Sequence, residues 1–200
     1  MDLIQYEKTQ LKMCSNSRIA GGIEPARMGK RLMRNIAEAA PFFLAYGNKL
    51  PILDVGCGDG WGMECFKSHG FVDMIGIELV QERVDIAKKY GFSVFKGVAE
   101  DTLKVLQEHA LMNVKYNVFI SHTLEHCFDQ KKVIEDLKTI ANIFWIIVPI
   151  EVTGSRNYAH KSAIRSLDQL ALYFDSTWEL LKRDERSNCE PEGLLAYVKK

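Results

Sequence analysis

The chain has 200 residues, 47% of them apolar, which is enough to core one α/β domain and too few for two comfortable ones. Its 26 basic and 26 acidic residues cancel, so no global field recruits nucleic acid and only a local patch could. Cys14, Cys57, Cys65, Cys127 and Cys189 form no C-x-x-C pair, no apolar run nears the roughly 20 residues of a membrane span, and the first ten residues are too polar for a secretory signal. A zinc ribbon, a disulfide framework and a membrane protein all fit poorly, and the expectation is a cytoplasmic protein with reduced thiols.

Residues 1–26 read as an N-terminal cap or loop segment, because 18–25 holds Gly21, Gly22 and Pro25, while Ile4, Leu11 and Met13 could support a short helix. Residues 27–200 read as the domain proper. From 26 to 40, Met28, Leu32 and Ile36 with Met33, Ala37 and Ala40 make an apolar stripe at helical spacing, and Pro41 comes just beyond. The basic lean of the first fifty residues, with Arg31 and Arg34 among its charges, is mostly explained by a solvated helix face.

Residues 52–60 read I-L-D-V-G-C-G-D-G, a buried strand that turns into a glycine-rich loop and then a helix. Glycines at 56, 58 and 60 allow the main chain to approach a ligand closely, and the helix from Trp61 aims its free N–H groups at the same place. A dinucleotide fingerprint would need a third glycine at 61, where Trp61 stands. The pattern present is D-x-G-x-G-x-G, and in it the chain strongly resembles the class I S-adenosylmethionine (SAM) methyltransferases. That resemblance implies a Rossmann-like fold of seven strands, mostly parallel, with helices on both faces and an antiparallel C-terminal pair. It implies SAM as cofactor, S-adenosylhomocysteine (SAH) as product, and Asp54, Gly56, Cys57, Gly58, Asp59 and Gly60 around the methionine part of the cofactor.

Met63, Phe66 and Gly70 outline the next helix, and 73–78 is a second buried strand ending in Glu78. A carboxylate at that strand end can accept both ribose hydroxyls, with Leu79 beside it, and the competing account is an acid favoured by the helix that follows. A third strand over 92–95 leads into Gly97-Val-Ala-Glu-Asp101, which is similar to the family's adenine-binding turn, usually G-D-A-E. Val98 stands where the acid is most often found, so Ala99 and Glu100 are the adenine contacts expected, while Asp101 can simply cap a helix.

Residues 116–126, Y-N-V-F-I-S-H-T-L-E-H, resemble the family segment that ends beside the sulfonium and the substrate. Asn117, where the family often has Asp, reads as structural. Ser121 and His122 fall at the carboxyl end of a strand, where open α/β sheets bind ligands, and His122 is either a cofactor contact or a base. Glu125 and His126 read more simply as a helix-start hydrogen-bond network. The N-P-P-Y or D-P-P-Y motif that methylates amino-purines or glutamine is absent, which disfavours those targets.

Asp129 is a credible N-cap for a helix carrying Val133, Leu137 and Ile140, and 143–148 is a fully buried strand stopped by Pro149. The loop 150–165, with Arg156, Asn157, Tyr158 and His160, is long enough to be a binding loop, and His160 is a second candidate base. Ser166 to Gln169 reads as a capping box, and 177–182 and 194–198 as an antiparallel pair around a turn with Gly193. The function expected is methyl transfer from SAM to a small-molecule acceptor, with nucleic acid disfavoured and no metal ligand spacing. RNA or protein methylation, and a SAM-binding protein that does not catalyse, are the alternatives. Oligomeric state is not legible.

Overall fold

The computed structural model describes residues 27–151, 161, 163–186 and 191–200. The expected N-terminal cap, His160 and most of its loop lie outside them. Helix α1 is Arg27–Tyr46, β1 Ile52–Val55, α2 Trp61–Ser68, β2 Met74–Glu78, α3 Gln81–Lys89 and β3 Ser93–Lys96. A 3-10 turn, Ala99–Asp101, leads into α4 Thr102–Glu108, then β4 Tyr116–Ser121, a second 3-10 turn Leu124–His126 and α5 Gln130–Lys138. The chain closes with β5 Ala141–Pro149, α6 Leu167–Ala171, β6 Trp178–Arg186 and β7 Glu192–Lys199.

The seven strands form one sheet in the order β3-β2-β1-β4-β5-β7-β6. The first five are parallel, and β7 inserts antiparallel between β5 and β6. This is the α/β architecture expected. From β1 the chain winds outward to β2 and β3, then returns to start β4 on β1's other side. That reversal opens a crevice at the carboxyl ends of β1 and β4.

Alternation along the strands divides the core between two faces. Leu53, Val55, Val118, Ile120, Phe144 and Ile146 pack beneath α4, α5 and α6, while Ile52, Phe119, Trp145 and Ile147 pack beneath α1, α2 and α3. Both faces are therefore closed. No helix among the described residues is long and apolar enough to cross a membrane.

Several local expectations need correction. Helix α1 runs through Pro41 to Tyr46. A mid-helix proline costs about 3 kcal/mol, and the extra turn offsets this by burying Phe43, which lies 5.7 Å from the Phe66 ring and 6.4 Å from Trp145. Strand β5 begins two residues earlier than the apolar run and includes Pro149. Ser166 precedes α6 without a side-chain cap bond, so the capping box does not close; Gln169 instead accepts from the Arg165 amide at 3.4 Å. Gly193 lies inside β7, where a Cβ would collide with Leu167 of α6. Asp129 does cap α5, accepting from the Lys132 amide at 2.9 Å. Asn117 donates to the carbonyls of Gly47 and Leu50, each at 3.0 Å, and so fastens the α1–β1 connection.

Candidate functional site

The glycine turn sits at the crevice, and its three glycines are there for different reasons. Gly56 has φ +81°, and a Cβ on it would strike the Thr123 hydroxyl. Gly60 has φ +85°, and a Cβ would lie 2.9 Å from the Phe92 ring. Gly58 has φ +59° with nothing within 4 Å of the space a Cβ would occupy. Packing demands the first two, whereas Gly58 borders open space and leaves its backbone accessible. Cys57 turns its thiol inward against Gly76, so only its main chain faces the turn.

Two carboxylates support this turn from below. Glu78, at the end of β2, accepts from the Gly58 amide at 2.9 Å and the Val80 amide at 2.8 Å, one oxygen to each. Asp54, the third residue of the fully buried β1, is 4% exposed, with no hydrogen-bond donor to its carboxylate among the described residues. Burial pushes both carboxyls up to about 7; the charge of Glu78 adds to the effect on Asp54, and the backbone bonds oppose it on Glu78. Asp59 is likewise buried close by, and Leu79 is half-buried just beyond Glu78. Arg83 Nη1 lies 3.8 Å from Glu78 Oε2, so this cradle holds three buried carboxylates and one cation.

The third corner is less open. Ala99 packs partly against the core, and its carbonyl accepts from the Thr102 hydroxyl at 2.8 Å. The Glu100 carboxylate accepts from the Phe128 amide through Oε1 at 2.6 Å, which ties the two 3-10 turns together. Glu100 is thus partly committed to the protein itself.

At the end of β4, Ser121 is half-buried and His122 holds a left-handed backbone at φ +53°, a strained conformation for a branched-ring residue. The His122 ring lies between two buried carboxylates: Nε2 is 2.8 Å from Glu192 and Nδ1 is 3.5 Å from Glu125. Burial alone would lower its pKa, but the bonds to Glu125 and Glu192 outweigh that and raise it above the ordinary histidine value. The same two carboxylates face both ring nitrogens. Glu125 also lies 3.9 Å from His126, and its second oxygen is buried without a hydrogen-bond partner.

Glu192 is the residue that sequence reading missed. It opens β7 opposite Pro149 of β5, at the carboxyl edge of the sheet, and besides His122 it binds Arg31 Nε at 2.9 Å and Arg34 Nη2 at 2.7 Å. Burial would raise its carboxyl, yet His122 and the two arginines hold it below the usual carboxylate range. The expected solvated face of α1 is therefore corrected in part: Arg31 and Arg34 clamp the helix to β7, and Glu38 further along clamps it to β6 through Lys182 and Arg186. Thr123 was missed too. Its hydroxyl donates to the Val55 carbonyl at 3.0 Å and fills the space beside Gly56. An isolated glutamate 70 residues from its histidine leaves no spacing signal.

Comparison with known proteins agrees with this geometry. Among solved structures, magnesium protoporphyrin IX methyltransferase (ChlM) from Synechocystis PCC 6803 with bound SAH aligns over 96% of this chain and 100% of its own, with TM-score 0.67 and 14% identity. A SAM-dependent methyltransferase from Anabaena variabilis ATCC 29413 covers 82% and 83%, with TM-score 0.63 and 17% identity. The CcbJ methyltransferase from Streptomyces caelestis covers 82% and 89%, with TM-score 0.62 and 14% identity. At such identities the likeness establishes the fold. No curated protein matches the sequence. The model of the family described as methionine biosynthesis protein MetW matches residues 43–157, more than half of the chain. Its D-x-G-x-G-x-G turn, its seven-stranded sheet and this match agree: the chain belongs to the MetW family, on the class I SAM-dependent methyltransferase fold.

Proposed function

We propose that this protein binds SAM in the Gly58–Glu78 cradle and transfers its methyl group to a small-molecule acceptor at the carboxyl edge of β4 and β5. The observation that carries the reading is the pairing of open space beside Gly58 with two buried carboxylates, of which Asp54 has no bonded donor among the described residues. A cationic, hydroxyl-rich nucleoside suits that donor and acceptor set: ammonium and ribose hydroxyls donate, and Asp54 and Glu78 accept. Gly56, Gly60 and the main chain of Cys57 and Asp59 would shape the cradle, with Leu79 and Ala99 as its apolar walls and Ser121 and His122 as its far rim. Glu100 would contribute through the oxygen not bound to Phe128. The fit is weakest at adenine, where Val98 provides no acid.

SAM supplies a methyl on a sulfonium, already a good leaving group. The protein's share is alignment and exclusion of water. Glu78 holds the glycine turn in shape by bridging Gly58 and Val80. His122, with its ring nitrogens facing Glu125 and Glu192, would hold the β4 turn. Membership in a family described by methionine biosynthesis supports a small acceptor over a polymer.

A second reading is a SAM-binding protein without transferase activity, and it is favoured by His122, whose ring nitrogens face Glu125 and Glu192. Calorimetric titration with SAM and SAH tests the shared step. Wild type should bind both, and Glu78→Ala should lose about a hundredfold in affinity as two charge-assisted bonds disappear. Absence of binding by folded wild type would overturn both readings, and binding with no transfer across a varied acceptor panel would select the second.

A further inference from the structure

The rim that faces an acceptor has a definite charge. Arg31, Arg34 and His122 converge on Glu192, while Glu125 faces His122 from the other side. Two guanidinium groups and the His122 ring thus stand against two carboxylates at the edge of the sheet, beside the cradle of Asp54 and Glu78. Arg34 is the member open to solvent, with 42% of its side chain exposed. Both of its hydrogen bonds, to Glu192 at 2.7 Å and to Asn35 at 3.4 Å, use the single nitrogen Nη2. A guanidinium carries five N–H donors in a rigid fork, so Nε and Nη1 still present donors after Glu192 is satisfied.

We propose that this rim is a site for a small carboxylate, gripped by the free donors of Arg34 beside Glu192, and that a carboxylic acid is the class of acceptor. The identification as acceptor rests on the SAM reading above; the anion site itself does not. Carboxylate chemistry also suits a rim whose histidine among the described residues, His122, is bonded to carboxylates. An alcohol or an ammonium must give up a proton in the course of methylation, and the ring nitrogens of His122 are directed at Glu125 and Glu192. A carboxylate oxygen carries its lone pair already and has no proton to shed. The same cations repel an amine and attract an acid.

Calorimetry of the full chain saturated with SAH, titrated with benzoate, hexanoate and succinate against benzyl alcohol and benzylamine, tests this. At least one carboxylate should bind, more weakly as salt rises, and better than the alcohol or the amine. Arg34→Met should weaken that binding about tenfold, Arg34→Lys should keep part of it, and SAH affinity should stay within about twofold. Thermal melting of each variant checks that it is folded, and the lysine form serves if the methionine form is not. Carboxylates that bind no better than benzyl alcohol, or that bind folded Arg34 variants as tightly as wild type, would overturn the proposal. SAH binding without carboxylate binding would overturn this site alone. Arg34-dependent carboxylate binding by wild type that ignores SAH would support the anion site while overturning the cofactor reading.

Discussion

The two halves of the crevice handle charge in opposite ways. In the glycine half, Asp54 and Glu78 are buried with backbone amides as the bonded support for Glu78 and no donor to Asp54 among the described residues, so their carboxyls rise to about 7. In the β4–β7 half, Glu192 and Glu125 are equally buried, yet His122 with the two arginines keeps Glu192, and His122 with His126 keeps Glu125, below the usual carboxylate range. Burial is the same and pairing differs. The glycine half gives Glu78 only Arg83 at 3.8 Å and leaves Asp54 without a bonded donor among the described residues, whereas the other half brings His122, Arg31 and Arg34 onto Glu192. A ligand should therefore change the first half more than the second, whereas mutation should hurt the second half's stability more.

The largest effect expected comes from breaking the paired half. Glu192→Ala strands His122, Arg31 and Arg34 around a lost buried carboxylate, and denaturant unfolding should report a loss of about 3–5 kcal/mol. SAH affinity of the folded fraction should change far less, since Glu192 makes no bond to the glycine turn.

Next, two glycines two residues apart separate packing from ligand access. Gly56→Ala places a methyl on Thr123 and should cost about 2–3 kcal/mol of stability by unfolding titration. Gly58→Ala meets open space, so its stability loss is confined to the left-handed backbone, about 1 kcal/mol, and its main effect should be on SAM affinity. Equal stability losses in the two variants would erase the distinction drawn between these glycines.

A pH series sharpens the comparison without mutation. Folded-state pKa values of Asp54 and Glu78 lie above their unfolded values of 3.8 and 4.5, so the stability they contribute is full at acid pH and lost as pH rises through about 7. His122, also raised, acts in the same direction above its ordinary value. The lowered Glu125 and Glu192 act oppositely, but only as pH falls below the carboxylate range. The ligand-free protein should thus melt several degrees lower at pH 8 than at pH 6, and SAM should stabilise it more at pH 8, where both cradle carboxylates are ionised. The smallest effect serves as a reference outside both halves: Asp129→Ala removes the α5 cap and should cost about 1 kcal/mol with SAM affinity unchanged.

The glycine half was legible because its signals are contiguous. A strand end, three glycines and Glu78 fall within 27 residues, and Glu78 meets Gly58 across only 20 positions. Strand count, the parallel order's carboxyl-edge crevice and the Asp129 cap follow from short-range patterns of the same kind. The paired half was not legible. Glu192 reaches His122 across 70 positions and Arg34 across 158, distances at which no periodicity survives.

What the sequence determined by itself was therefore local: which stretches are strands, where the backbone needs glycine, and which family's turn this is. Tertiary structure decided which glycine is held by packing and which borders open space, because Thr123 and Phe92 arrive from other elements. It carried α1 through Pro41, since the aromatic burial of Phe43 outweighs a missing amide. It also converted two arginines from an expected solvated face into the clamp on Glu192, because a buried carboxylate is stable only where cations from elsewhere in the chain converge on it.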